Sequence, residues 1–127
     1  MAEKKPSKNE LIKKGMVFWV GEVKAVGLKL TETNENTGVK TSVDLSSGID
    51  WANSYIKFKS PLNITTNTAP VLTSDGTDGA IHYRIEIADS FINASDQTGT
   101  WECYAALKKD DGEIFFSQSL FFLVDQK

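Results

Sequence analysis

The sequence predicts an all-β protein made of two antiparallel sheets packed face to face, and three observations predict it. Apolar and polar residues alternate with period two from Ile81 to Ile87 and from Trp101 to Leu107, the pattern of strands with one buried face. Turn chemistry recurs between the apolar stretches, in Asn34 to Gly38, Asp75 to Gly79 and Asp110-Asp111-Gly112, where Gly and Asn tolerate positive φ. With 127 residues, 40% hydrophobic and 24% charged, the chain has the size and composition of one domain with one core. About seven candidate strands in a single sheet would leave an apolar face wet, so two packed layers are expected.

Residues 1–15 are polar and Lys-rich, with one Pro and only Leu11 and Ile12 as an apolar pair. They read as a flexible basic arm, disordered or ordered on a neighbouring subunit, ahead of a folded body over 16–127. Val17-Phe18-Trp19-Val20 reads as a first strand ended by Gly21, and Val23 to Thr31 as a second with Val26, Leu28 and Leu30 on one face. Val43 to Gly48 reads as an anchored loop in which Val43 and Leu45 point inward. Tyr55 to Lys59 forms a third strand, with Ile56 and Phe58 inward, and Ser60-Pro61 ends it because Pro cannot donate to a ladder.

Ile64 to Leu72 contains Pro70 and is therefore an edge or irregular strand. Ile81, Tyr83, Ile85 and Ile87 share the inward face of the next strand, and Ala88 to Asp96, with Asp89 as N-cap, reads as a short helical turn. Trp101, Cys103, Ala105 and Leu107 then face inward, opposite Glu102 and Tyr104. The last strand runs from Glu113 to Val124. Strands of this number and spacing fit an immunoglobulin-like antiparallel β-sandwich of about seven strands. With one cysteine no internal disulfide can form, so Trp101 and the other aromatic residues must hold the core by packing.

No apolar run is long enough to cross a bilayer, and no secretory signal follows the Lys-rich start, so the chain is expected to stay in the cytoplasm where it is made. Residues 1–14 hold five lysines and two glutamates, a balance of +3, leaving nine basic and fifteen acidic groups in the remainder, a balance of −6. Such a body repels a nucleic acid backbone.

No catalytic residue, cofactor site or metal site is expected. Cys103 reads as a small core hydrophobe. The single histidine, His82, lies on an outward strand face, and a hydrolase would need a carboxylate beside it in a cleft. The turn aspartates Asp75, Asp78, Asp110 and Asp111 lack the ligand spacing of a calcium loop. Trp51 and Tyr55 flank a polar loop and offer rings for stacking on a sugar, which makes host-glycan binding an alternative. The informative anomaly is the last strand. If Phe116, Leu120, Phe122 and Val124 point into the core, Phe115, Phe121 and Leu123 point out, and three such groups demand a cover. We expect a partner subunit to bury them, with Leu11 and Ile12 of the arm joining that interface; the competing cover is the arm itself, folded back.

The succession Val43-Asp44-Leu45-Ser46-Ser47, Ile56-Lys57-Phe58-Lys59-Ser60-Pro61, Asp75 to Tyr83, Gly99-Thr100-Trp101-Glu102 and Ile114-Phe115-Phe116-Ser117 resembles the immunoglobulin-like domain of tailed-phage baseplate upper proteins and related small phage virion proteins. The likeness covers roughly residues 17–125. It implies a virion component made in the bacterial cytoplasm: a non-enzymatic sandwich that docks on other virion proteins as a homo-oligomer or ring, without nucleic acid or membrane. In that family the domain is usually followed by a long arm that carries the receptor-binding protein. This chain stops at Lys127, which leaves baseplate, tail, neck and capsid surface all open as locations.

Overall fold

The computed structural model describes residues 6–127. In chain order these form a helix α1 (Lys8–Lys13) and eleven strands: β1 (Val17–Trp19), β2 (Lys24–Lys29), β3 (Thr31–Thr33), β4 (Lys40–Ser42), β5 (Tyr55–Lys59), β6 (Thr65–Thr68), β7 (Val71–Leu72), β8 (Ala80–Ile85), β9 (Gly99–Lys108), β10 (Ile114–Phe116) and β11 (Leu120–Asp125). The large sheet has the order β1-β11-β9-β5-β6, with β10 also on β9; the small sheet has the order β2-β8-β7, and β3 and β4 form a separate hairpin. In the lettering of immunoglobulin domains β2, β8 and β7 take the B, E and D places, and β11 with β10, β9, β5 and β6 take G, F, C and C′. The all-β sandwich expected from the sequence is the fold observed. One pairing departs from an antiparallel scheme: β1 runs parallel to β11, with Val17 beside Leu123 and Phe18 beside Val124.

The core lies between the sheets. Leu28, Ile81 and Ile85 of the small sheet meet Ile56, Phe58, Trp101, Cys103, Leu107, Phe122 and Val124 of the large one. Phe58 sits at the centre, edge-on to Tyr83, Phe91 and Phe122 at 5.7–6.3 Å between ring centres. Trp101 near the start of β9 donates its indole N–H to the carbonyl of Gln97 at 2.7 Å, so the ring is both a core filler and a pin for the preceding corner. The inward parity expected for β5, for β9 and for Val26, Leu28 and Leu30 holds. Val43 and Leu45 are buried as well, and Leu45 N–H donates to Gly76 O at 2.8 Å. That loop lies so close to the Asp75–Gly79 turn that Gly79, at φ +71°, has the backbone of Leu30 and Val43 where a Cβ would stand.

Four expectations are corrected. Ile87 is 59% exposed, because β8 ends at Ile85 and Asp89 turns the chain by accepting from Glu86 N–H at 2.9 Å. Instead of a helical turn over Ala88 to Asp96 there are turns and a single 3₁₀ turn at Ser95–Gln97.

The last strand is not continuous. Phe116 pairs with Ala106 and Leu120 with Cys103, so Ser117, Gln118 and Ser119 stand opposite only Tyr104 and Ala105. One extra residue is a bulge, and with a side-chain period of two it exchanges the faces of everything on one side of it. Phe115 therefore turns inward against the main core and Phe116 turns outward, the reverse of the expectation. Ser117 fixes the bulge, since its N–H donates to Ala105 O at 3.0 Å and its hydroxyl accepts from Ala105 N–H at 2.8 Å.

The fourth correction concerns the arm. Ser7 caps a helix by accepting from Glu10 N–H at 3.2 Å, and at the far end Gly15, at φ +70°, donates to Ile12 O while Met16 donates to Leu11 O, a Schellman ending. The helix is held on β11, with Lys8 Nζ 3.5 Å from the Asp125 carboxylate. The part of the arm over residues 1–5 lies outside the described residues.

Candidate interface on the large sheet

The outer face of the large sheet divides into a covered half and a bare half. In the covered half α1 lays Leu11 over Val17 and Leu123, with Met16, Trp19 and Phe121 at the margin. Leu11 is 2% exposed and Leu123 3% exposed. These two, and half-buried Phe121, are thus closed off by the chain's own helix rather than held open for a partner. Ile12, one position along the helix, points away from that contact and is 47% exposed. Phe115 is on the inner side, half-buried, beneath Lys109 Nζ at 5.6 Å. Of the five residues expected to form the interface, Ile12 alone remains exposed.

The bare half is built by three neighbouring strands. The pairings Tyr55 with Ala106 and Phe116 with Ala106 place Tyr55, Ala106 and Phe116 in one row across β5, β9 and β10. Tyr104 lies one step along the same face beside Lys57, and Ile114 one step the other way beside Lys108. Phe116 is 64% exposed and Ile114 56% exposed. Phe116 meets Tyr104 edge-on at 6.0 Å, and Ala106 is a buried small floor between the rings. The Lys57 ammonium stands 5.5 Å from the centre of the Tyr55 ring. Neither Lys57 nor Lys108 is in an ion pair among the described residues. The site is therefore a shallow aromatic platform with a basic margin, suited to a partner with an apolar centre and acidic rim.

The remaining candidates do not assemble into a chemical centre. His82 is half-exposed, and its Nδ1 is 3.0 Å from the Thr73 hydroxyl instead of a carboxylate. Burial first, and Glu102 second, push the Cys103 thiol up to about 12, far from a reactive thiolate. Hydrogen bonds from Ser46 hold Asp44 below the usual carboxylate range, those from Thr77 do the same for Asp75, and the Ala80 N–H and the Ser74 hydroxyl for Asp78. No group of three metal-ligating side chains occurs among the described residues. Trp51 packs against the inner core while Tyr55 belongs to the outer face, so the two rings do not line one groove as a sugar site on them would require.

Phe116 and Ile114 escaped sequence reasoning because the bulge reverses their parity. The polar trio Ser117-Gln118-Ser119 inside an apolar strand is the signal that could have revealed it. Neither a family model, nor a curated protein, nor a solved structure matches this chain.

Proposed function

We propose that this chain is a non-enzymatic structural protein of a tailed-phage virion, assembling through contacts between subunits on the bare half of the large sheet. The carrying observation is Phe116, an exposed ring set edge-on to Tyr104 beside exposed Ile114 on a regular sheet face. A contiguous apolar patch of this kind is costly to leave in water and favours a site where another protein covers it. Aromatic anchors with a polar rim are also the usual composition of a binding centre. The phage setting rests on the ordered likeness of residues 17–125 to the baseplate upper family. Mass spectrometry of purified virions should detect the chain, with crosslinks from Lys57 or Lys108 to a neighbour. Phe116→Asp should remain folded and soluble yet fail to enter particles. Absence from virions, or full incorporation of the variant, refutes the reading.

A host-glycan-binding module on the same platform is the second reading, favoured by the row of rings at Tyr55, Tyr104 and Phe116. Retention of a sugar on a glycan array, lost in Tyr104→Ala, would establish it.

A further inference from the structure

We propose a second binding site, separate from the aromatic platform: the free edge of β2 and the groove beside it accept an extended, acidic-flanked segment of a partner protein as an added strand. The inference rests on the edge geometry and stands or falls independently of the phage setting.

Strand β2 ends the small sheet, and nothing pairs with its outer side among the described residues. Leu30 N–H donates to Gly79 O at 2.9 Å, and the register continues through Leu28 with Ile81 and Val26 with Tyr83. In an antiparallel ladder bonded and non-bonded pairs alternate, so Ala25, Gly27 and Lys29 point their N–H and C=O groups away from β8. They recur along the edge at roughly 6.8 Å, a spacing that only another extended backbone matches. In lettered terms this is the place of strand A, which lies next to B in the A-B-E-D sheet.

Two further edges are blunted. β7 has two residues and follows Pro70. β1 has its outward groups occupied, with Trp19 N–H donating to the Glu22 carboxylate at 2.6 Å and Lys24 Nζ donating to Val17 O at 3.1 Å. β2 is six residues long and has Gly27 at its middle, so no side chain shields the backbone there.

Beside that edge, between the two sheets, is a cavity of about 280 Å³ lined largely by apolar groups, among them Met16, Phe18, Val26, Leu120 and Phe122. Alternate side chains of an added strand would enter it while the backbone completes the ladder, which is how strand addition combines affinity with selectivity. Lys24 and Lys29 stand at the two ends of β2, in no ion pair among the described residues. They select acidic flanks on the incoming strand. They also disfavour a second copy, since a two-fold pairing of β2 with itself brings together two strands whose only charged side chains are lysines.

An mRNA-displayed library of random peptides, selected on the immobilised full chain, tests the proposal. Enriched sequences should alternate apolar and polar residues between acidic flanks, and their binding should protect the amides of Ala25, Gly27 and Lys29 from hydrogen exchange. The double variant Lys24→Glu/Lys29→Glu, which leaves the backbone intact, should weaken binding about tenfold. Gly27→Pro removes an outward N–H, spares the β2–β8 ladder and should abolish binding. Enrichment of no such sequence, protection elsewhere in the chain, or binding indifferent to the double charge reversal overturns the proposal. A dimer that dissociates in Gly27→Pro would assign the edge to a second copy and overturn it equally.

Discussion

The two halves of the large sheet's outer face carry the same kind of residue and meet opposite fates. On one side Leu123 and Val17 lie under Leu11 of a six-residue helix; on the other Phe116 and Ile114 lie under nothing among the described residues. Strand β9 is continuous across the boundary, pairing with β11 on one side and β10 on the other, and side-chain type does not separate the halves. What separates them is reach. The chain enters the fold beside β11, so a short capped helix ahead of β1 can fold onto that half only, and the half formed by β5, β9 and β10 stays open. An apolar group on a sheet face therefore says that something must cover it, and the path of the chain decides whether the cover is internal.

The comparison can be broken most severely from the inner layer that both halves share. Burial, and then the bond to Asp89, push the Tyr83 hydroxyl up to about 12, and burial pushes the Cys103 thiol to about 12 from ordinary values of 10.0 and 9.0. Both groups are raised, so folding favours their protonated forms. Their contribution is complete below about pH 9 and is lost as pH rises toward 12. Urea midpoints followed by circular dichroism should fall through that window, and a thiol reagent should label Cys103 only as the fold opens.

Next in size is the covered half. Leu123→Ala should cost about 2–5 kcal/mol, read as a lowered urea midpoint at unchanged slope. A cost near zero would mean that the helix does not seal Leu123 in solution. Removing the cap with Ser7→Ala should cost about 1 kcal/mol and raise hydrogen exchange in α1 while leaving β9 protected. Smallest is Phe116→Ser on the bare half, within about 0.5 kcal/mol of the parent by the same urea measurement. Thiol labelling of Cys103 should quicken in Leu123→Ala and stay unchanged in Phe116→Ser.

Much of this architecture was legible in advance because burial imposes period two on a strand. Ile56 and Phe58, the run from Trp101 to Leu107, and the outward Tyr55 and Tyr104 follow from alternation alone. The helix was legible too, through Ser7, Glu10 and Gly15, yet a polar Lys-rich composition argues for a tail unless those caps are read as a set. The platform was half legible: Tyr104 was placed outward, while Phe115 and Phe116 were exchanged because a single bulge residue shifts parity without altering composition.

By itself the sequence determined the sandwich, the inward residues of β2, β5, β8 and β9, the turns at 34–38, 75–79 and 110–112 and the need to cover an apolar outer face, because each follows from local period or local backbone preference. The tertiary structure alone decided which half of that face α1 reaches, where the bulge between β10 and β11 falls, and that β2 has a free edge among the described residues. The first and the last depend on which segments meet across long stretches of chain, which no local pattern records, and the bulge depends on the register against β9, which the polar trio Ser117-Gln118-Ser119 marks without fixing.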